Sequence, residues 1–261
     1  MSTPVCRCAA TVRCAVRLGF AAVLSALAGC TYNLRQVREP GRSVAFPTGG
    51  PWQSMVYAAR TDSGVIVVDL GWHGAGAALA KRLRRLGAEP RDVTDVFLTH
   101  GHRDHIGAWR TVRHARFHLS AAEAPFFEGR ATYADFPSRA GQSVSGRAGP
   151  WPGEVAVRPF ASDTFFTFGA DTVRAFLVPG HTPGHAAYLF RGVLFAGDAV
   201  ARKPLTGFKG ADPIFTTDRR TARESLRSLF ERIRPYDVRW VCNAHAKCAA
   251  LDSAFLRKVT R

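Results

Sequence analysis

Residues 99–107 read THGHRDHIG. Three histidines and an aspartate, His100, His102, Asp104 and His105, fall within six positions of a chain that has nine histidines in all. The cluster follows directly on DVFLTH (95–100), a short apolar segment that reads as a strand. At a strand end, residues i and i+2 point the same way, so His100 and His102 can hold one ion. Asp104 and His105 lie in the following turn and can face a second ion beside the first. Imidazole and carboxylate together suit zinc or a neighbouring first-row metal.

Further candidate ligands follow later apolar strands. VPGHTPGH supplies His181 and His185, FAGDAV supplies Asp198, and VCNAH supplies His245. His100, His102, Asp104, His105, His181, Asp198 and His245 make seven groups. That is more than one tetrahedral ion takes, and it suits two ions sharing a carboxylate.

The periodicity places the motifs. Strands are predicted at 54–60, 65–70, 95–100, 154–160, 164–169, 171–180, 186–190, 193–198 and 238–245. Helices are predicted at 77–87 and at 221–233, the latter capped by Asp218, and a short helix at the C-terminus. GAWRTV, after the histidine cluster, starts like a helix. Residues 125–153 are rich in Pro, Gly, Ser and Arg and read as a long loop. Strands followed by a helix occur in each half, which predicts an α+β class of two packed sheets with helices outside.

The N-terminus reads as a targeting segment. Arg7, Arg13 and Arg17 precede the uncharged apolar run LGFAAVLSALAG (18–29), which has the length of a signal-peptide core. The run ends in LAGC, which resembles the bacterial lipobox in which the cysteine is lipidated. The expectation is a lipoprotein signal peptide at 1–29, a lipid on Cys30 as membrane anchor, a tether over 30–44 and a folded domain over 45–261. Thr31 after the cysteine resembles an outer-membrane address, facing the periplasm. Cys242 and Cys248 then remain, either as a disulfide or as two buried thiols.

Composition is globular, with 46% hydrophobic and 21% charged residues. The formal charge of +16 is scattered without a dense basic run, so no specific nucleic-acid partner is predicted. A small-molecule substrate is.

The pattern H-x-H-x-D-H, then GHTPGH, then Gly-Asp, then a late histidine resembles the metallo-β-lactamase superfamily over roughly residues 45–255. The resemblance implies an αβ/βα four-layer sandwich of two mixed sheets with helices outside. It implies that His100, His102 and His181 hold one metal, that Asp104, His105 and His245 hold a second, and that Asp198 bridges them. Asp69, ending VIVVD, matches the superfamily's early aspartate that orients ligands. His185 belongs to the GHTPGH segment, with a structural or hydrogen-bonding role rather than ligation. Trp72, and His73 in DLGWHG, would lie near the substrate. The 46–53, 125–152 and 202–216 segments would supply further walls, with Arg202, Lys203 and Lys209 able to meet a carboxylate or phosphate.

The implied activity is that of a dinuclear zinc hydrolase, with iron or manganese as alternative metals. Two zinc ions about 3.5–4 Å apart can share a water and bring its pKa toward neutrality. The resulting hydroxide would cleave an ester, thioester or lactone-like bond, with Asp104 orienting it as the catalytic carboxylate. There is no GxSxG elbow to suggest a rival nucleophile. A β-lactamase, a mononuclear iron enzyme similar to the persulfide dioxygenases, and a non-catalytic metal-binding lipoprotein are the alternatives. Asp198 weighs against the first, because β-lactamases of the superfamily generally lack the bridging aspartate. Lactonases carry a tyrosine shortly after that aspartate, where this chain has Ala199-Val200-Ala201-Arg202.

Overall fold

A computed structural model of the chain describes residues 43–48, 53–135, 139, 148–203, 207–246 and 248–260. The predicted signal segment, Cys30 and all but the last two residues of the predicted tether lie outside them, as does most of 136–147. No helix among the described residues is long and apolar enough to cross a membrane.

Six strands form the first sheet, in spatial order β1 (Ser43–Thr48), β2 (Ser54–Thr61), β3 (Gly64–Val68), β4 (Val93–Phe97), β5 (Arg116–Ser120) and β6 (Ala156–Phe160). The first three pair antiparallel and the last four parallel. The second sheet runs β14 (Cys248–Ala250), β13 (Trp240–Asn243), β10 (Val193–Gly197), β9 (Ala186–Phe190), β8 (Asp171–Leu177) and β7 (Thr164–Phe168). In it β13 and β10 are parallel and the other pairs antiparallel.

Three apolar cores show how the layers stack. Successive strand residues point to opposite faces, and the two faces of each sheet are both buried. Tyr57, Ile66, Val68 and Phe97 of the first sheet meet Val173, Tyr188, Phe190 and Phe195 of the second. The alternate residues Val56, Val65 and Val67 pack outward on Leu79 and Leu83 of α1 (Gly76–Leu83). On the other side Ala187, Leu189 and Leu194 pack on Leu226 and Leu229 of α4 (Arg219–Arg232) and Phe255 of α5 (Ser253–Val259). Each fully buried Leu, Val or Phe side chain contributes roughly 1.5–3 kcal/mol. The result is the αβ/βα four-layer sandwich.

Several boundaries differ from the sequence reading. β1 begins at Ser43, inside the predicted tether, and takes in 46–48, expected as a pocket loop. Pro47 argues against a strand, yet β1 is an edge strand, where a missing N–H is tolerated. GAWRTV forms only a 3-10 turn over Trp109–Val112, and RFHLS, not predicted, forms β5. The predicted loop at 125–153 opens with a helical turn, α3 (Ala124–Phe127), and both Phe127 and Tyr133 are buried. The strand predicted at 238–245 is confined to Trp240–Asn243 and is not the last, because the chain turns back into β14. Cys242 and Cys248 face each other across that turn and form a disulfide. A small hairpin, β11 (Val200–Lys203) with β12 (Gly207–Gly210), stands apart from both sheets.

Candidate metal centre

The parallel pairs β3/β4 and β10/β13 send their following loops to the same edge of the sandwich, and β8 runs the same way as β10. Asp69 follows β3, His100 to His105 follow β4, His181 and His185 follow β8, Asp198 follows β10 and His245 follows β13. The two sheets are tied together at this edge by backbone bonds. Ala186 N donates to Thr99 O at 2.9 Å and Met55 N to Ala244 O at 2.6 Å.

The seven predicted ligands converge. Three groups have donor atoms within 4.8 Å of one another: His100, His102 and His181; His100, His105 and Asp198; and Asp104, His105 and His245. His100 Nε2 lies 2.9 Å from His102 Nδ1 and 3.3 Å from His181 Nε2. Asp198 sits between the groups, its Oδ2 being 2.9 Å from His245 Nε2, 3.5 Å from His181 Nε2 and 3.7 Å from His105 Nε2. Asp104 and His105 lie on a single helical turn, α2 (Arg103–Ile106). Asp104 Oδ2 is 3.5 Å from both His105 Nε2 and His245 Nε2.

Hydrogen bonds fix which ring nitrogen faces inward. His105 Nδ1 donates to Asp69 Oδ2 at 2.9 Å, and His245 Nδ1 donates to the Gln53 carbonyl at 2.9 Å. Both Nε2 atoms are thereby turned to the centre. Among the described residues, His105 Nε2 and Asp198 Oδ1 are buried without a hydrogen-bond partner, although buried polar atoms are ordinarily paired. Nitrogens facing nitrogens, with such unpartnered atoms beside them, are what a cation-binding donor set shows. The residues fit zinc by donor type.

Electrostatics divide the rings: three are shifted toward the neutral form, while the carboxylates around His105 and His245 raise those two against burial. Burial, reinforced by neighbouring rings, holds His100 well below the usual imidazole range, and burial likewise lowers His102 and His181. The lowering favours the neutral ring, the form that ligates. Burial opposes charge on Asp104 too, but His105 and His245 outweigh it and bring the carboxyl to about 2. Burial works against charge on His245, yet Asp198 and Asp104 raise it to about 9.

His185 does not belong to any of the three donor groups. Its Nε2 accepts from Asp198 N at 3.1 Å, so it holds the backbone of that aspartate. Asp69 takes Thr99 N at 2.8 Å and Thr99 Oγ1 at 2.9 Å besides His105, and it does so from a left-handed backbone, φ 54°. Such a conformation is uncommon for a residue with a Cβ and clusters at functional sites. Gly107 packs the end of the motif against the 71–73 loop, where a Cβ would come 2.1 Å from the Trp72 carbonyl oxygen.

One participant escaped the sequence reading. The Glu123 carboxylate is fully buried. One oxygen accepts from Gly101 N at 2.9 Å and from the Tyr133 hydroxyl. The other accepts from Thr182 Oγ1 at 2.8 Å and Gly184 N at 3.0 Å. Glu123 therefore ties the loop of His100 and His102 to the loop of His181. No ligand-like spacing marks it in SAAEAPFF.

A cavity of about 360 Å³ opens over the centre, floored by His102, Asp104, Asp198 and His245. Trp72, Ala201, Arg202 and Phe215 wall it. His73, expected near substrate, is exposed and is not among the lining residues. It belongs to the same turn as Trp72, but that turn points the indole inward and leaves the imidazole in solvent. Lys203 pairs with Asp212 at 2.8 Å.

A family model described as the metallo-β-lactamase superfamily matches residues 49–245, which take in all seven groups. The chain belongs to the metallo-β-lactamase superfamily. A probable metallo-hydrolase of Mycobacterium tuberculosis is 30% identical over 180 residues, 55% of this chain and 56% of the relative. A probable polyketide biosynthesis zinc-dependent hydrolase of Bacillus velezensis is 27% identical over 154 residues, 57% of this chain and 56% of the relative. The chain spans little more than half the length of these curated relatives. The structure of a metallo-β-lactamase family protein from Thermus thermophilus shares the superfamily fold, with a TM-score of 0.59 at 24% identity over 80% of this chain and 74% of that one.

Proposed function

We propose that this superfamily member is a metal-dependent hydrolase that holds two zinc ions and cleaves an ester, thioester or lactone-like bond. The observation that carries the reading is the placement of Asp198. Its carboxylate faces His181 on one side and His105 and His245 on the other, as a group shared by two cations would. The zinc-dependent hydrolase of Bacillus velezensis supports the metal and the reaction class. Bound zinc would supply Lewis-acid polarisation of the scissile carbonyl and an acidified water.

The chain's own residues do the rest. His100, His102 and His181 would hold one cation, and Asp104, His105 and His245 the other. Asp104 lies on the cavity floor with its side chain 16% exposed, where Oδ2 can orient the attacking water and take its proton. Trp72, Ala201 and Phe215 exclude water and take an apolar portion of the substrate. The lipobox-like LAGC supports a location at the bacterial cell envelope, on a lipid at Cys30, facing the periplasm. The Cys242–Cys248 disulfide supports export, since such bonds persist in oxidising compartments.

Metal analysis of chelator-free protein, with assays on a thioester, a lactone, an aryl phosphate and a cephalosporin, tests this reading. Two zinc per chain and chelator-sensitive cleavage of a thioester or lactone, lost in Asp104→Ala, are expected. Turnover that survives both metal removal and that substitution would refute the mechanism. One iron per chain would favour an oxygenase instead.

A further inference from the structure

A second cavity, of about 480 Å³, lies on the other side of the 211–216 loop from the metal centre. Four cations line it: Lys209 of β12, Arg219 and Arg223 of α4, and Lys258 of α5. Among the described residues no acidic side chain lines it. None of the four takes part in any ion pair found among the described residues.

The acids on the surrounding elements are already engaged. Asp212 pairs with Lys203 at 2.8 Å, and Glu224 lies 3.9 Å from Arg220. Asp218 caps α4, accepting from Arg220 N and Thr221 N, and Asp252 caps α5, accepting from Phe255 N. The cations converge from three separate elements, so helix periodicity alone does not account for their meeting. Like charges held around one cavity repel, and an anion bound among them relieves that repulsion.

We propose that this cavity binds a phosphate-type anion, carried by a small molecule or by a lipid headgroup. Two guanidinium groups suit the oxygens of phosphate, which they can grip in pairs, and two ammonium groups add point charge. The volume exceeds that of a lone phosphate, and Phe208, Pro213 and Val259 give the group bearing it an apolar wall. The site is separate from the metal centre but shares a wall with it. Asp212 and Phe215 face the metal cavity, while Pro213 and Thr216 face this one. Thr216 Oγ1 also lies 3.5 Å from His181 Nδ1.

The test uses the purified full-length protein at constant ionic strength, titrated calorimetrically with inorganic phosphate and with pyrophosphate. In parallel, binding to phosphatidylglycerol vesicles is compared with binding to phosphatidylcholine vesicles. The double variant K209S/R223S removes two exposed cations of the cavity. R84S/R85S removes two exposed cations from the opposite outer layer and controls for net charge. Saturable binding of at least one probe, about tenfold weaker in K209S/R223S and unchanged in R84S/R85S, is expected. Phosphate or pyrophosphate alone would identify a soluble ligand, and phosphatidylglycerol alone a lipid headgroup. Absence of saturable binding to every probe, or equal weakening in both variants, would overturn the assignment. So would binding untouched in K209S/R223S, which would place the anion at the metal centre.

Discussion

Asp69 and His105 meet at 2.9 Å, carboxylate oxygen to Nδ1, across the gap between the ends of β3 and β4. The contact sets the tautomer of His105 and aims Nε2 at Asp104 and Asp198. Asp69→Asn isolates this function. Asparagine tolerates the left-handed backbone and retains an oxygen for Thr99 N, but its amide cannot accept from Nδ1–H. Zinc affinity, measured by competition with a chromophoric chelator, should fall roughly 10–100-fold. Affinity equal to that of the unsubstituted protein would show that the pair does not orient the ligand.

Glu123 makes a sharper demand, because all four of its partners are buried. Glu123→Ala removes the acceptor of Gly184 N, of Thr182 Oγ1 and of the Tyr133 hydroxyl and leaves Gly101 N only the Tyr133 oxygen, and should lower stability by about 2–4 kcal/mol. Glu123→Gln keeps one acceptor oxygen and sets an amide against the donors of the other, at about 1–3 kcal/mol. Urea midpoints give both numbers. An alanine variant as stable as the parent would mean that the loops hold each other without the carboxylate.

These two acids also show what a sequence exposes and what it hides. Asp69 ends an apolar strand and stands in a recognisable place relative to the histidine cluster. The convergence of the seven candidate groups was legible for the same reason: each follows an apolar strand, and parallel strands deliver their ends to one edge. Glu123 is 22 residues from Gly101 and 59 from Thr182, and no local pattern links those positions. β1 was hidden by Pro47, which only the edge position permits. The β11–β12 hairpin was hidden because VARK and GFKG carry more charge and glycine than a buried strand would. His73 lies in solvent beside the inward Trp72, because neighbours in a turn point in different directions.

The Cys242–Cys248 disulfide joins β13 to β14 beneath the turn that carries His245. Closing so short a loop stabilises by about 2 kcal/mol in the chain-entropy account. The double substitution Cys242→Ala, Cys248→Ala should lower the urea midpoint accordingly. It should also loosen His245, so that metal held by the Asp104, His105 and His245 group is lost first. Metal content measured against rising chelator concentration should then show earlier release in the variant. Identical release curves would mean that the Nδ1 bond to Gln53 suffices to hold His245.

Asp95 offers a pH test remote from the metal centre. It lies buried on β4, opposite Arg116 in the register of β5, and hydrogen bonds to His118 at 2.6 Å and to Arg116 at 2.8 Å and 2.6 Å. Burial pushes its carboxyl up, but the hydrogen bonds from His118 and Arg116 outweigh burial and hold it at about 2. The folded value lies below the unfolded value of roughly 3.9, so the folded state favours the ionised form. The stabilisation is therefore complete above about pH 4 and is lost as pH falls toward 2. Asp95→Asn should cost about 2 kcal/mol at pH 7, a difference that shrinks through that window. The clustered histidines and carboxylates of the metal centre titrate in both proteins, so subtracting one urea unfolding series from the other leaves the Asp95 contribution. A difference that stays constant from pH 7 to pH 2.5 would show that Asp95 acts through packing rather than charge.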